Sequence, residues 1–146
     1  GLTELRPGRL LALTEALLVG GNRVAGWLLS TGAGSDAEVF FATTRDFKPT
    51  SLATLPNGDV LVLERSYSVL AGAAARLSLI DGDSIVPGAL LEGAEIARIS
   101  PPLTVDNFEG LALRRDDDGG LLVYLISDDN FNPLQRTLLL MFRLAE

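Results

Sequence analysis

Neither cysteine nor histidine occurs in the 146 residues. Without cysteine the chain has no disulfide, no thiolate nucleophile and no zinc–sulfur centre. Without histidine it has no Ser–His–Asp relay, no imidazole acid–base catalyst and no histidine metal ligand. Basic charge is also scarce: 12 Lys and Arg stand against 19 Asp and Glu, a formal net charge of −7. Nucleic acid, which requires a basic footprint, is therefore excluded as a partner. Although 47% of the residues are hydrophobic, no run approaches the ~18 apolar residues of a membrane-spanning helix, so no membrane span is expected. The opening Gly1-Leu2-Thr3-Glu4 has no basic n-region, no long apolar core and no initiator Met. It carries no signal peptide and is expected to belong to something longer. Chemistry is left to carboxylates, amides, hydroxyls, Arg and Lys, or a hard metal ion.

What the sequence does have is a recurring series of short β-rich runs. Three segments open on Gly8, Gly58 and Gly120 and share one plan: a β-run, an acidic residue at its end, a loop, and a second β-run with an arginine nearby. The arginines are Arg23, Arg76 and Arg136. Ahead of the last two segments, Thr50–Leu55 parallels Glu109–Arg114, and each is followed by a glycine turn, Asn57-Gly58 or Asp118-Gly119-Gly120. Asn-Gly and Asp-Gly between β-runs predict hairpins, because they accept φ > 0 without strain. Glu38–Thr43 and Glu95–Ile99 supply one further strand each. Four antiparallel strands at a spacing of roughly 50 residues predict β-propeller blades. The chain is thus expected to be all-β, about three four-stranded blades forming a partial propeller, in a single domain over residues 1–146. A β-sandwich is the alternative architecture. Leu10–Leu18, LLALTEALL, has local helix propensity, but the alignment of the three segments makes it a strand. Exposed edges of a partial ring would be met by the missing N-terminal half of the propeller or by a second copy.

Two signatures, Asn107-Phe108-Glu109-Gly110-Leu111-Ala112 and Ser127-Asp128-Asp129-Asn130-Phe131-Asn132-Pro133-Leu134-Gln135-Arg136-Thr137, carry a family resemblance. They resemble the C-terminal half of the "esterase-like activity of phytase" family, phytase-like β-propellers of mostly bacterial origin. The run Gly58–Arg65 followed by Arg76 is similar to another segment of that family. The resemblance covers essentially the whole chain and about half of the usual family domain. It implies a periplasmic or secreted location and a small-molecule ester or phosphoester ligand.

In a propeller the innermost strands and their loops line a central channel, where polar residues of different blades converge. Asn107, Glu109, Asp128 and Glu64 are expected at that channel or its mouth, with Lys48 and Thr50 as counterparts of Asn107 and Glu109 in the preceding unit. Oxygen donors without nitrogen or sulfur select a hard cation, so the candidate ion is Ca²⁺, with those four residues as its ligands. Such an ion would clamp a phosphate or polarise an ester carbonyl, with Glu109 and Asp128 as the catalytic carboxylates. Arg65, Arg76 and Arg136 are the candidate substrate-binding residues, because a guanidinium fork matches phosphate and carboxylate. The plainer alternatives are Asx turns for Asp128, Asp129 and Asn130, and loop-locking ion pairs for Arg76 with Glu64 and Arg136 with Asp129. The predicted activity is metal-assisted hydrolysis of a phosphoester or carboxylester. The competing reading is a non-catalytic binding or scaffold propeller, supported by the absent histidine.

Overall fold

The glycine turns place the hairpins. In the computed structural model, which describes residues 1–44 and 46–145, Gly58 and Gly119 take φ of 97° and 83°. Each closes a tight turn, with Gly58 N–H donating to the Leu55 carbonyl and Gly119 N–H to the Asp116 carbonyl. Twelve strands are described: β1 (Leu2–Arg6), β2 (Arg9–Leu18), β3 (Arg23–Ser30), β4 (Ala37–Ala42), β5 (Lys48–Thr54), β6 (Val60–Ser68), β7 (Gly72–Ile80), β8 (Leu90–Leu91), β9 (Ala94–Ile99), β10 (Phe108–Arg115), β11 (Leu121–Ser127) and β12 (Leu139–Leu144). They form three curled sheets with the orders β1-β2-β3-β4-β8, β5-β6-β7-β9 and β10-β11-β12. All pairings are antiparallel except the two-residue contact of β8 with β4. Among the described residues no helix is long and apolar enough to cross a membrane.

The expected count of four strands per unit is corrected to five, four and three among the described residues. Arg136–Leu138 lie in the loop that precedes β12. Ser127 is the cause: its hydroxyl donates to the Arg136 carbonyl at 2.7 Å and accepts from Leu138 N–H at 2.8 Å, holding those residues to the loop base. Leu10–Leu18 is strand despite its helix-favouring composition. Pairing with β1 on one side and β3 on the other buries Leu11 and Leu13 in the core, and that tertiary burial outweighs a propensity of tenths of a kcal/mol per residue.

β6 is the central wall. Val60, Leu61, Val62 and Leu63 are all wholly buried. Side chains alternate across a strand, so Val60 and Val62 join Leu11, Val39 and Phe41 of the first sheet. Leu61 and Leu63 join Phe108, Val123 and Leu125 of the third. The middle sheet is therefore covered on both faces, which explains an apolar run with no alternation in β6. Phe142 is exposed on β12.

Glu64 follows that run and is also wholly buried. Arg76, directly opposite on β7, makes a bidentate pair with it at 2.6 and 2.8 Å, and Ser78 Oγ donates a third hydrogen bond at 2.8 Å. The Phe47 ring lies 4.4 Å from the Arg76 guanidinium carbon and 4.9 Å from that of Arg98. Glu95 completes the cluster, bidentate to Arg98 at 2.6 and 2.8 Å.

The first strands of the three sheets adjoin. Gly1 abuts Ser51 and Leu52, and the Thr3 and Thr54 hydroxyls lie 2.9 Å apart. Thr50 Oγ donates to the Phe108 carbonyl at 3.1 Å, and Ser51 Oγ accepts from Leu111 N–H at 3.2 Å. These contacts advance together along the strands, so β1, β5 and β10 run in the same sense. The β2–β3, β6–β7 and β11–β12 hairpin ends consequently lie on one face of the molecule.

Two expectations follow. Glu64→Gln leaves buried Arg76 with only the more distant Glu95 carboxylate, 3.6 Å away, as counter-charge and should cost about 3 kcal/mol in urea unfolding, whereas Glu64→Leu combined with Arg76→Met should lose much less. The hydrogen bonds from Arg98 hold the Glu95 carboxyl below its ordinary value of 4.5. Its stabilising contribution is thus complete above that value and lost as pH falls through the lower folded value. Glu95→Gln should flatten the acid limb of a stability–pH curve.

Candidate functional site

The hairpin face gathers most of the polar residues singled out from the sequence, and a β-bulge helps to place them. In β5 the pairing skips Thr50, and in β10 it skips Glu109. A bulged residue leaves the ladder and re-aims its side chain. Glu109 uses that freedom to approach Arg65, with Oε1 3.0 Å from Arg65 Nε. Arg65 Nη2 simultaneously donates to Glu15 Oε1 at 2.8 Å. The guanidinium is therefore held between carboxylates of the first and third sheets. The Nε–H is not aimed at Glu109 and has no hydrogen-bond acceptor, so this contact is an electrostatic one. Asn107 Nδ2 donates to the same Glu109 oxygen at 2.9 Å and lies 3.5 Å from the Asp128 carbonyl.

Asp106 is the anchor that the sequence reading passed over. It is buried, with Oδ1 accepting from Asn107 N–H at 2.9 Å and Oδ2 from Arg136 N–H at 3.0 Å. Arg136 Nε adds an ion pair at 3.6 Å to Oδ2. One carboxylate thus ties the β9–β10 connection to the β11–β12 loop. The loop supports itself through Asx turns: Asp128 Oδ1 accepts from Asn130 N–H, Asp129 Oδ1 from Phe131 N–H and Asn132 Oδ1 from Leu134 N–H. Asn130 and Phe131 both take positive φ, 50° and 54°, a conformation costly for a phenylalanine.

These interactions redistribute the expected site. Asn107, Glu109, Arg65 and the Asp128 backbone come together, and Arg136 stands across a cleft from Arg65. The Asp128 carboxylate is exposed and engaged in its turn. Glu64 and Arg76 are elsewhere: strand alternation puts Glu64 on the opposite face of β6 from Arg65, and each saturates the other. Arg136 pairs with Asp106, whereas Asp129 accepts from the Thr137 hydroxyl.

The cleft has a volume of about 620 Å³. Arg65, Tyr67, Asn107, Asn132, Gln135 and Arg136 are among the side chains around it. It presents guanidinium and amide donors, with Glu109 set behind Arg65 and Asn107. A calcium ion needs six or more convergent oxygens, and these residues do not fit it. Arg65 already fills the space between Glu15 and Glu109, and Asn107 turns its amide nitrogen toward the available oxygens. Among the described residues no three acidic side chains converge as a metal site.

Asp106→Asn replaces one accepting oxygen by a donor facing a backbone N–H. It should cost roughly 1–3 kcal/mol and speed amide exchange in residues 128–137 more than in β6.

A family model described as "Phytase-like: Esterase-like activity of phytase" matches residues 1–131. The match includes Arg65, Asn107, Glu109 and Asp128, and it ends within the β11–β12 loop, before Arg136. No curated protein and no solved structure matches the chain.

Proposed function

Because the chain belongs to the phytase-like family of esterase-like activity, we propose that its hairpin face binds a small anionic ester, a phosphoester or a carboxylester, in the cleft between Arg65 and Arg136. The observation that carries this reading is the cleft itself: two guanidinium groups line an opening that also holds the side-chain amides of Asn107, Asn130, Asn132 and Gln135, beside the Asp106 carboxylate and a few apolar groups. Arg136 is the exposed partner: its backbone N–H and its Nε both meet Asp106, the latter at 3.6 Å, and with its side chain 61% exposed its outer guanidinium donors remain open to an anion. Arg65 is neutralised by Glu15 and Glu109, so it contributes geometry and hydrogen-bond donors more than net charge. The propeller reading belongs with this proposal. It is supported by three curled antiparallel sheets whose first strands adjoin and whose equivalent hairpins share a face. The exported location implied by the resemblance completes it.

Hydrolysis of the bound ester is the second reading, favoured by the family's description. Glu109 is then the carboxylate to examine, because Arg65 and Asn107 fix its position from two sides. The donor set does not suit calcium, and this reading places none in the site.

Titration of the protein with inorganic phosphate and with glycerol phosphate tests binding. Arg136→Ala should weaken both by roughly tenfold, the scale of one charge-assisted hydrogen bond. Unchanged affinity would remove the cleft from the proposal. Turnover of p-nitrophenyl phosphate and p-nitrophenyl acetate separates the two readings, because hydrolysis at this site requires a rate that Glu109→Gln lowers while phosphate binding persists.

A further inference from the structure

Each of the three hairpin ends that share the cleft's face carries large apolar side chains directed into solvent. The β2–β3 end presents Leu17 and Leu18, the β6–β7 end Val69 and Leu70, and the β11–β12 loop Phe131 and Leu134. Relative exposure is 90% for Val69 and Leu134, 101% for Leu70 and 103% for Phe131, so these side chains pack against nothing in the chain. Exposed apolar residues are ordinary when scattered singly. Here they stand in pairs at three ends that the topology brings to one side. Phe131 is also held outward by a left-handed backbone that a β-carbon makes costly.

We propose that this face docks on the surface of a bilayer of zwitterionic lipid, with the three hairpin ends inserted at the boundary between headgroups and acyl chains and the polar cleft facing the headgroups. A bilayer suits the arrangement better than a folded protein partner. The apolar ends are separate prongs, two of them flanking the cleft, and a rigid apolar partner touching all three would strip water from the exposed Asn132 and Arg136 and the partly exposed Arg65. A headgroup layer keeps those groups hydrated while the prongs reach apolar material. Charge selects the lipid. Arg65 is opposed by Glu15 and Glu109 and Arg136 by Asp106, while Asp128 and Asp129 have no basic partner among the described residues. A face of that balance gains nothing from anionic lipid, unlike the polybasic surfaces that seek it. Docking would also bring the cleft against headgroup esters, but it stands independently of the cleft's ligand because it is read without any soluble anion.

Co-sedimentation with phosphatidylcholine vesicles tests the inference. The protein should pellet with them, keep doing so at 1 M salt, where charges are screened within about 3 Å, and bind less when phosphatidylserine is mixed in. Leu70→Glu and Phe131→Glu together should lower the bound fraction at least about tenfold, with phosphate affinity unchanged. Phe131→Gly supplies a second readout: relief of the left-handed strain should raise the melting temperature while vesicle binding falls. Three results would overturn the proposal: protein left in the supernatant with phosphatidylcholine vesicles, binding confined to anionic vesicles and abolished by salt, or variants that bind as well as the parent. Self-association that the glutamate substitutions abolish, without vesicle binding, would assign the face to a second copy instead.

Discussion

Burial of β6 on both sides is the constraint from which the rest of the molecule follows. A strand whose neighbouring side chains face different sheets cannot slip by one residue without exchanging its two sets of partners. Val60 and Val62 are fixed to the first sheet, Leu61 and Leu63 to the third. The same alternation then places Glu64 on one side and Arg65 on the other. One carboxylate is thereby sealed into the interior, and the next residue's guanidinium emerges on the hairpin face. The buried Glu64 and the Arg65 of the hairpin face are neighbours in sequence and lie on opposite sides of the sheet.

The buried cluster obeys the rule that an interior charge must be paired and hydrogen-bonded. Glu64 receives three hydrogen bonds from Arg76 and Ser78, and Phe47 covers the guanidinium. On the hairpin face the same chemistry is used differently. Glu15, Glu109 and Asp106 are partly or largely withdrawn from solvent, and Arg65, Arg136 or backbone N–H groups meet them. Arginine here stands where a cation could otherwise have been held. The carboxylates around the cleft are thus met by arginines, backbone N–H groups and turns, with guanidinium and amide groups beside them on the hairpin face.

The β11–β12 loop combines local and long-range control. Its Asx turns arise from residues two apart, yet its position depends on Asp106 and Ser127, which reach Arg136 and Leu138. The loop is consequently well anchored at its base while its tip exposes Phe131 and Leu134. A rigid base carrying an apolar tip suits a surface-contacting element.

Several features were legible in the residues alone. The absence of cysteine and histidine bounded the chemistry, the Asn-Gly and Asp-Gly turns located two hairpins, and Thr50 and Glu109 were matched as counterparts, although only the pairing shows that both are bulged. Strand identity for Leu10–Leu18 was recovered from its likeness to the other segments, against local propensity. The pairing of Arg76 with Glu64 was one of two readings the residues left open and is the one the structure shows, whereas the burial of that pair and the role of Asp106 were not legible. Composition cannot distinguish a carboxylate that will find a guanidinium across a strand pair from one that faces solvent.

The class of structure and the inventory of polar groups are written along the chain, because turn chemistry, apolar patterning and missing residue types act locally. Which groups meet is set by the packing of the sheets. The pairing of Glu64 with Arg76, the placement of Arg65 between Glu15 and Glu109, and the gathering of three hairpin ends depend on how whole sheets stack. Contacts between residues tens of positions apart are set by the packing of both faces of β6 and by strand direction, and no short stretch of the chain encodes either.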